Sequence, residues 1–194
     1  MNSDCAISIG STHAICQDYA RAGQDKEGMP YVIISDGCSS SAETDIGSRL
    51  LVLAAEKNID LLGIQTEEFY EKSVVLAETW TKYLGLPEIA IDATLVVAKM
   101  VKDQPFAAVY GDGLIVAGKR DENGKNLLAI HQVVATQNFP FYPSYLLKPN
   151  RLKSMPPDNK LEVSCIYKET NGTPPIVSFA TFCPMNNGRF HAAT

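Results

Sequence analysis

The spacing of apolar residues predicts two helices in the first half of the chain. After the polar residues 39–44, apolar positions recur at helical spacing as far as about Lys57, which predicts a first helix. A second helix is predicted after Thr66, a favourable N-cap that two glutamates follow, and Gly85 closes it. Its apolar positions fall largely on one side, so we expect this helix to cover a core.

The other apolar runs are short, rich in β-branched residues and bounded by turn residues, which is typical of strands. They comprise residues 6–9, 31–35, 94–101, 106–110, 114–117, 127–135, 162–167 and 176–182. Two hairpin turns are predicted between them, at Gly111-Asp112-Gly113 and at the Asn-Gly pair within residues 121–124. Strands, two helices and then a run of antiparallel strands indicate an α+β fold built in layers.

Length and charge restrict the class of protein. A chain of 194 residues with 45% apolar content can bury one core, so residues 1–194 are predicted to form a single domain. The net charge of −5 argues against a nucleic-acid partner, which would require a basic face. No apolar run approaches the roughly 18 residues of a membrane span, and the N-terminus lacks an apolar leader. We therefore expect a soluble, cytoplasmic protein with no membrane partner.

Cysteine and histidine usage argues against transition-metal and disulfide chemistry. The five cysteines are widely and irregularly spaced, with no Cys-x-x-Cys pair. Neither a structural zinc site nor a disulfide framework is expected, and the thiols are predicted to be reduced. Because the chain has only three histidines, a histidine-rich metal site is not expected either.

Four short acidic motifs accompany the predicted strands. They are Cys16-Gln17-Asp18, Ser35-Asp36-Gly37-Cys38, Asp92-Ala93-Thr94 and Gly111-Asp112-Gly113. Carboxylates at strand ends can gather around Mg²⁺ or Mn²⁺, which prefer oxygen ligands. Two such ions can activate a water for in-line attack on a phosphoryl group. Asp36-Gly37 suits this chemistry best, because a glycine lets the backbone carbonyl come close, and Asp18 could supply a partner carboxylate.

Each motif also has an ordinary structural explanation, and both interpretations stay open at this point. An Asp-Gly pair after a strand is most often a turn, and Gly111-Asp112-Gly113 suits a hairpin. Asp92 is best explained as opening a strand, whereas Asp18 could be a solvated loop acid. His13 is more often a surface residue than a ligand.

The order of the motifs resembles the PPM-type metal-dependent protein phosphatases, the type 2C family. Residues 36–41, Asp-Gly-Cys-Ser-Ser-Ser, are similar to a bacterial subgroup in which this run replaces Asp-Gly-His-Gly-Gly. Residues 92–98 and Tyr110-Gly111-Asp112-Gly113 match the same subgroup. The resemblance extends from near Gly10 to about Tyr145 and implies a four-layer α-β-β-α sandwich.

The resemblance also implies an activity and a set of metal ligands. Asp36 would bridge two Mg²⁺ or Mn²⁺ ions and Gly37 would offer its carbonyl to one of them. Asp18 would join the metal shell mostly through water, and Asp112 would hold a third, weaker ion. A metal-bound hydroxide, not a side chain, would be the nucleophile that hydrolyses phosphoserine or phosphothreonine in a phosphoprotein. Thr94 would be a structural residue.

The chain departs from the family pattern in ways that support a second hypothesis. His13 stands where many members have an arginine that binds the substrate phosphate, and Gln17 replaces a common glutamate. The later Asp-Gly and Asp-Asn of the family are missing, since Asp158-Asn159 precedes two predicted strands and is interpreted as coincidence. We therefore expect a chain without its C-terminal strands and last helix, with part of the metal shell. The alternative to an enzyme is a non-catalytic phosphatase-like binding module.

Two further features adjoin the expected site. Cys38 lies beside Asp36-Gly37 but lacks the Cys-x₅-Arg arrangement of cysteine phosphatases, so it is predicted to be a bystander. Residues 137–159 are dense in proline and aromatic residues and are predicted to form an ordered surface loop. Its segment 139–145 is a candidate flap over the site, although such loops more often pack back on the core.

Overall fold

The structure is a computed structural model that describes residues 2–11, 13–64, 66–101, 104–120, 123, 126–137, 140–170 and 177–180. The strands are β1 (Tyr19–Gln24), β2 (Pro30–Ser35), β3 (Leu95–Val101), β4 (Gln104–Tyr110), β5 (Gly113–Arg120), β6 (Asn126–Ala135), β7 (Leu161–Thr170) and β8 (Val177–Ala180). The helices are α1 (Thr44–Asn58), α2 (Glu67–Tyr83) and the short α3 (Pro149–Lys153), with 3₁₀ turns at Glu88–Ile91 and Pro143–Leu146.

In the described part of the chain, the strands form two antiparallel sheets of four. The first has the order β1-β2-β3-β4 and the second the order β7-β6-β5-β8. The sheets adjoin where β3 contacts β8 and β4 contacts β5. Helices α1 and α2 pack together over the first sheet, and the core between them includes Ile33, Leu51, Phe69 and Leu95, all without solvent exposure.

The predicted α+β fold is confirmed. Within the described residues, the two sheets and the layer formed by α1 and α2 supply three of the four predicted layers. The bounds of both long helices agree with the sequence prediction: α2 follows Thr66, whose side chain accepts a hydrogen bond from the Phe69 N–H at 3.2 Å. No helix in the described part of the chain has both the length and the apolar character needed to cross a membrane.

The prediction of a first strand at residues 6–9 is wrong, since this run has no regular structure. The first strand is instead β1, a sequence without β-branched residues that pairs with β2 along its whole length. The turn of residues 25–29, which joins β1 to β2, stabilises this pairing. Asp25 Oδ1 accepts the N–H groups of Glu27 and Met29, both at 2.8 Å, and Gly28 has a positive φ. Turn chemistry and a partner strand, rather than local propensity, therefore select β1.

The prediction of a hairpin at Gly111-Asp112-Gly113 is also wrong. β4 ends the first sheet at Tyr110 and β5 begins the second sheet at Gly113, so these residues link two sheets. Gly111 takes a φ of 91°, which glycine tolerates and other residues avoid. The second predicted hairpin agrees with the pairing of β5 with β6 at Arg120 and Asn126, but most of its turn lies outside the described residues.

A close approach of α1 to the 3₁₀ turn at Glu88–Ile91 gives a first testable prediction. A Cβ on Gly47 would lie 1.6 Å from the Ala90 carbonyl oxygen, so the helix and the turn could not keep their positions. Gly47→Ala should therefore destabilise the protein by about 1–3 kcal/mol. In an exposed helix the same change would stabilise by about 1 kcal/mol. Urea unfolding measures the effect.

The matched control is Lys57→Ala, an exposed position in the last turn of the same helix. Its free energy of unfolding should change by no more than about 0.5 kcal/mol. A Gly47→Ala protein as stable as the parent would show that α1 does not pack against the turn as described.

Candidate active site

Asp36 follows β2 directly, and three hydrogen bonds fix Ser35 and Asp36 to Thr94, the residue before β3. The Asp36 N–H donates to Thr94 Oγ1 at 3.1 Å, and the Thr94 N–H donates to the Asp36 carbonyl at 2.8 Å. The hydroxyl of Ser35, which is fully buried, donates to the Thr94 carbonyl at 2.7 Å. Thr94 is therefore a structural clamp on Asp36, as the sequence suggested.

Gly37 occupies a position with no room for a side chain. A Cβ there would lie 2.6 Å from the Gln17 carbonyl oxygen and 2.9 Å from that of Thr44. The Gly37 N–H donates to Gln17 O at 3.2 Å, and the Gln17 side-chain amide donates to Thr44 Oγ1 at 2.7 Å. The segment that carries Asp18, the Asp36 loop and the start of α1 therefore meet at this glycine.

The carboxyl groups of Asp18 and Asp36 hydrogen-bond to each other. Burial raises the pKa of Asp36 well above its usual range, and the neighbouring Asp18 and Asp112 charges raise it further. Burial also raises the pKa of Asp18, although the hydrogen bond with Asp36 and the charge of His13 act in the opposite direction. Ionisation of both members of an adjacent carboxyl pair is disfavoured unless a nearby positive charge compensates it.

Asp112 brings a third carboxyl group within electrostatic reach of Asp36. It is 1% exposed, and its Oδ1 accepts the Ala135 N–H at 3.1 Å. Its Oδ2 is buried and has no hydrogen-bond partner among the described residues. Burial raises the pKa of Asp112 to about 6, despite the bond from Ala135. A buried carboxylate oxygen without a donor is costly unless a cation or a water satisfies it.

His13 is exposed and close enough to Asp18 for its charge to favour the ionised carboxyl. The backbone N–H of His13 donates to the Gly10 carbonyl at 3.0 Å. The predicted phosphate-binding residue is therefore exposed and within electrostatic reach of Asp18, and its role stays a prediction.

The donor set has the chemistry that hard divalent cations prefer. Two mutually bonded carboxyls, a third with an unsatisfied oxygen and a glycine backbone lie close together, and such oxygen ligands suit Mg²⁺ or Mn²⁺. Within the described residues, however, no three acidic, histidine or cysteine side chains already stand in a metal-binding arrangement. The residues fit the ions in chemistry, and binding would have to separate the Asp18–Asp36 pair.

Sequence reasoning missed a second polar centre next to this site. The sequence pattern favours Asp92 as a residue that opens a strand, but it is 1% exposed and accepts bonds from both Arg151 terminal nitrogens, at 2.7 Å each. Ser144 and Ser41 donate to the same carboxylate, at 2.7 and 2.9 Å. The acid and the arginine are 59 positions apart, so no local pattern connects them. The sequence offers one signal of this centre: an acidic residue flanked by apolar residues, whose carboxylate needs a cation once it is buried.

The aromatic segment lies against the Asp36 loop, as far as the structure describes it. Tyr142 hydrogen-bonds to the Cys38 thiol, and residues 142–145 are buried. Burial raises the pKa of the Cys38 thiol, but hydrogen bonds from Ser40, Tyr142 and Ser41 outweigh it and lower the pKa overall. The segment thus both adjoins the site and packs inward; Phe139 lies outside the described residues.

The comparisons with known proteins identify the family. The protein phosphatase 2C family matches residues 9–142, more than half of the chain. The chain therefore belongs to the protein phosphatase 2C family. No individually curated protein matches the sequence.

A solved structure agrees with this assignment at the level of the fold. The chain is similar to a serine/threonine phosphatase of S. agalactiae, with a TM-score of 0.50 and 17% sequence identity. The match covers 91% of this chain and 73% of the other. At this identity the likeness supports the shared sandwich architecture.

Proposed function

We propose that the protein is a metal-dependent phosphatase that hydrolyses phosphoserine or phosphothreonine in a phosphoprotein. Family membership supports a phosphatase. The observation that carries the finer proposal is the Asp18–Asp36 carboxyl pair at Gly37, with the unsatisfied oxygen of Asp112 nearby. A site that gathers negative charge out of water is suited to a divalent cation.

The proposed metal-binding and phosphate-binding roles follow from the positions of the residues. Asp36, Asp18 and the Gly37 carbonyl would hold two ions, and Asp112 a third. When bound, Mg²⁺ or Mn²⁺ supplies a water activated near neutral pH and positive charge for the phosphoryl group. His13, exposed beside Asp18, would bind the substrate phosphate. No side chain is assigned as the nucleophile, so water would attack phosphorus directly without a phosphoenzyme.

We also propose that residues 1–194 act as a single phosphatase-like domain in the cytoplasm. In the described residues Cys5, Cys16 and Cys38 are free thiols, which suits a reducing compartment. Cys38 is proposed to be a bystander, because the residue six positions later is Thr44 and not an arginine.

The proposal predicts that hydrolysis depends on the metal. Purified protein should release phosphate from a phosphothreonine peptide with millimolar Mn²⁺ or Mg²⁺. It should lose this activity with excess EDTA and regain it when Mn²⁺ is restored, because the proposal assigns the activation of water near neutral pH to the metal. Phosphate release is measured with a dye. Activity that survives EDTA would contradict the metal mechanism. A protein that binds Mn²⁺ but hydrolyses none of the phosphopeptides would contradict the proposal that it is an enzyme.

One observation favours a second function, a non-catalytic phosphatase-like binding module. His13 stands where many family members have an arginine, and an imidazole binds a phosphate less firmly than the planar guanidinium of an arginine does. This alternative predicts that Mn²⁺ binds weakly, so titration calorimetry separates the two functions. Tight, stoichiometric Mn²⁺ uptake would count against the binding module.

A further inference from the structure

Asp92 forms an unusually complete set of bonds for a residue outside the predicted metal ligands. Its carboxylate is buried and accepts two bonds from Arg151, one from Ser144 and one from Ser41. Its own backbone carbonyl accepts the Cys38 N–H at 2.8 Å. Side chain and backbone of a single residue thus hold two different segments of the chain.

Arg151 is suited to this carboxylate in geometry as well as in charge. Both terminal nitrogens bond to Asp92 at 2.7 Å, the parallel arrangement that a planar guanidinium forms and an ammonium group cannot. The guanidinium also lies 4.5 Å from the centre of the Tyr145 ring. Arg151 therefore fastens the segment 140–153 to Asp92.

The bonds of Asp92 lead to the loop of residues 38–41, which directly follows the predicted metal ligands Asp36 and Gly37. Cys38, whose N–H bonds to Asp92, follows Gly37, and Ser41 bonds to the Asp92 carboxylate from the other end of the same loop. The Ser41 N–H closes the loop by donating to the Cys38 carbonyl at 3.1 Å. Asp92 consequently holds both ends of residues 38–41.

We propose that Asp92 and Arg151 are positioning residues for the predicted metal site, acting through the loop of residues 38–41 on Asp36 and Gly37. The inference rests on the proposed function, since it assigns a role in metal binding. A guanidinium that neutralises Asp92 lets this acid hold the loop without competing for the metal. Outer partners of metal ligands typically contribute 10–100-fold in affinity or activity.

The test compares two changes of a basic residue to methionine in the same segment. Arg151→Met removes the paired bonds to Asp92, whereas Lys148→Met removes a surface ion pair with Glu88 and leaves Asp92 untouched. Both proteins are studied as the whole chain. Hydrogen exchange of residues 37–41 is measured without metal, and Mn²⁺ affinity is measured from the paramagnetic resonance signal of the free ion.

A positioning role predicts faster exchange at residues 37–41 and about tenfold weaker Mn²⁺ binding in Arg151→Met, with neither change in Lys148→Met. The exchange rate and Mn²⁺ affinity of Arg151→Lys should fall between those of the two methionine variants, because lysine keeps the charge but cannot form the paired bonds of the guanidinium. If Arg151→Met does not fold, Arg151→Lys and Ser144→Ala, which each weaken the same set of bonds, replace it.

Two outcomes overturn the inference and a third concerns the proposed function alone. If folded Arg151→Met has the hydrogen exchange and Mn²⁺ affinity of the parent, the positioning role is refuted. It is also refuted if Lys148→Met changes both quantities as much as Arg151→Met does. A parent protein that takes up no Mn²⁺ would refute the proposed function instead. In that case the exchange comparison alone decides whether Asp92 and Arg151 order the loop.

Discussion

Replacing Asp36 with asparagine is expected to lower kcat/KM for a phosphopeptide by more than about 100-fold, the upper range for an outer partner of a metal ligand. The amide keeps the shape of the side chain but removes the charge that would bind two cations. We expect no loss of stability in the metal-free protein, because burial and the carboxyls of Asp18 and Asp112 oppose the ionisation of Asp36. The measurements are Mn²⁺-dependent hydrolysis and thermal unfolding in EDTA.

Asp158→Asn is the matched control for this experiment. Asp158 is exposed, and its bond within the described residues, from Thr136 Oγ1 at 3.2 Å, goes to its backbone carbonyl. The variant should therefore keep parental activity, which also tests the interpretation of Asp158-Asn159 as a coincidental motif. Full activity in Asp36→Asn would remove Asp36 from the metal site, and a large loss in Asp158→Asn would show that the motif assignment is wrong.

Local chemistry made the helices and most strands predictable. The Thr66 N-cap and the glycine at 85 are signals that depend on only a few neighbouring residues. In the structure, α2 begins and ends where these signals predict. By contrast, β1 has little strand propensity and depends on its pairing with β2. A pattern read one segment at a time cannot include the partner strand that stabilises it.

The acidic site shows the same division between local and distant information. Asp36-Gly37 could be recognised because the turn residues adjoin a buried strand, and Gly37 proves too confined for any side chain. The position of Asp112 between two sheets was missed, since Gly-Asp-Gly fits a hairpin equally well. The Asp92–Arg151 pair was missed because its members meet only through the fold.

Breaking a second buried ion pair is expected to have the largest effect on stability. Lys99 Nζ lies 2.6 Å from Asp25 Oδ2 and also donates to the Ile59 carbonyl. These bonds connect β3 to the turn between β1 and β2 and to the end of α1. The side chains are only 16% and 1% exposed, so Lys99→Met would leave the Asp25 carboxylate buried without its cation. We expect a loss of about 3 kcal/mol at pH 7, the lower end for such pairs, because two backbone N–H groups still bind Asp25.

The effect of Lys99→Met should depend on pH in a defined direction. Burial opposes ionisation of Asp25, but the bonds from Lys99, Met29 and Glu27 outweigh it and lower its pKa below 3.8. A carboxyl whose pKa is lower in the folded state stabilises the protein above its unfolded pKa and loses this contribution as pH falls through the folded pKa. The difference between parent and variant should thus be full at pH 6–7 and shrink below about pH 4.

Urea unfolding of both proteins between pH 3 and 7 measures this difference directly. Lys72→Met is the matched control, because Lys72 pairs with Glu68 on the surface of α2 and both side chains are more than half exposed. Such a pair contributes about 0.3–0.5 kcal/mol and should leave no comparable pH dependence. A Lys99→Met penalty that is equally small, or that grows as the pH falls, would contradict the assignment of Asp25 and Lys99 as a buried, charged pair.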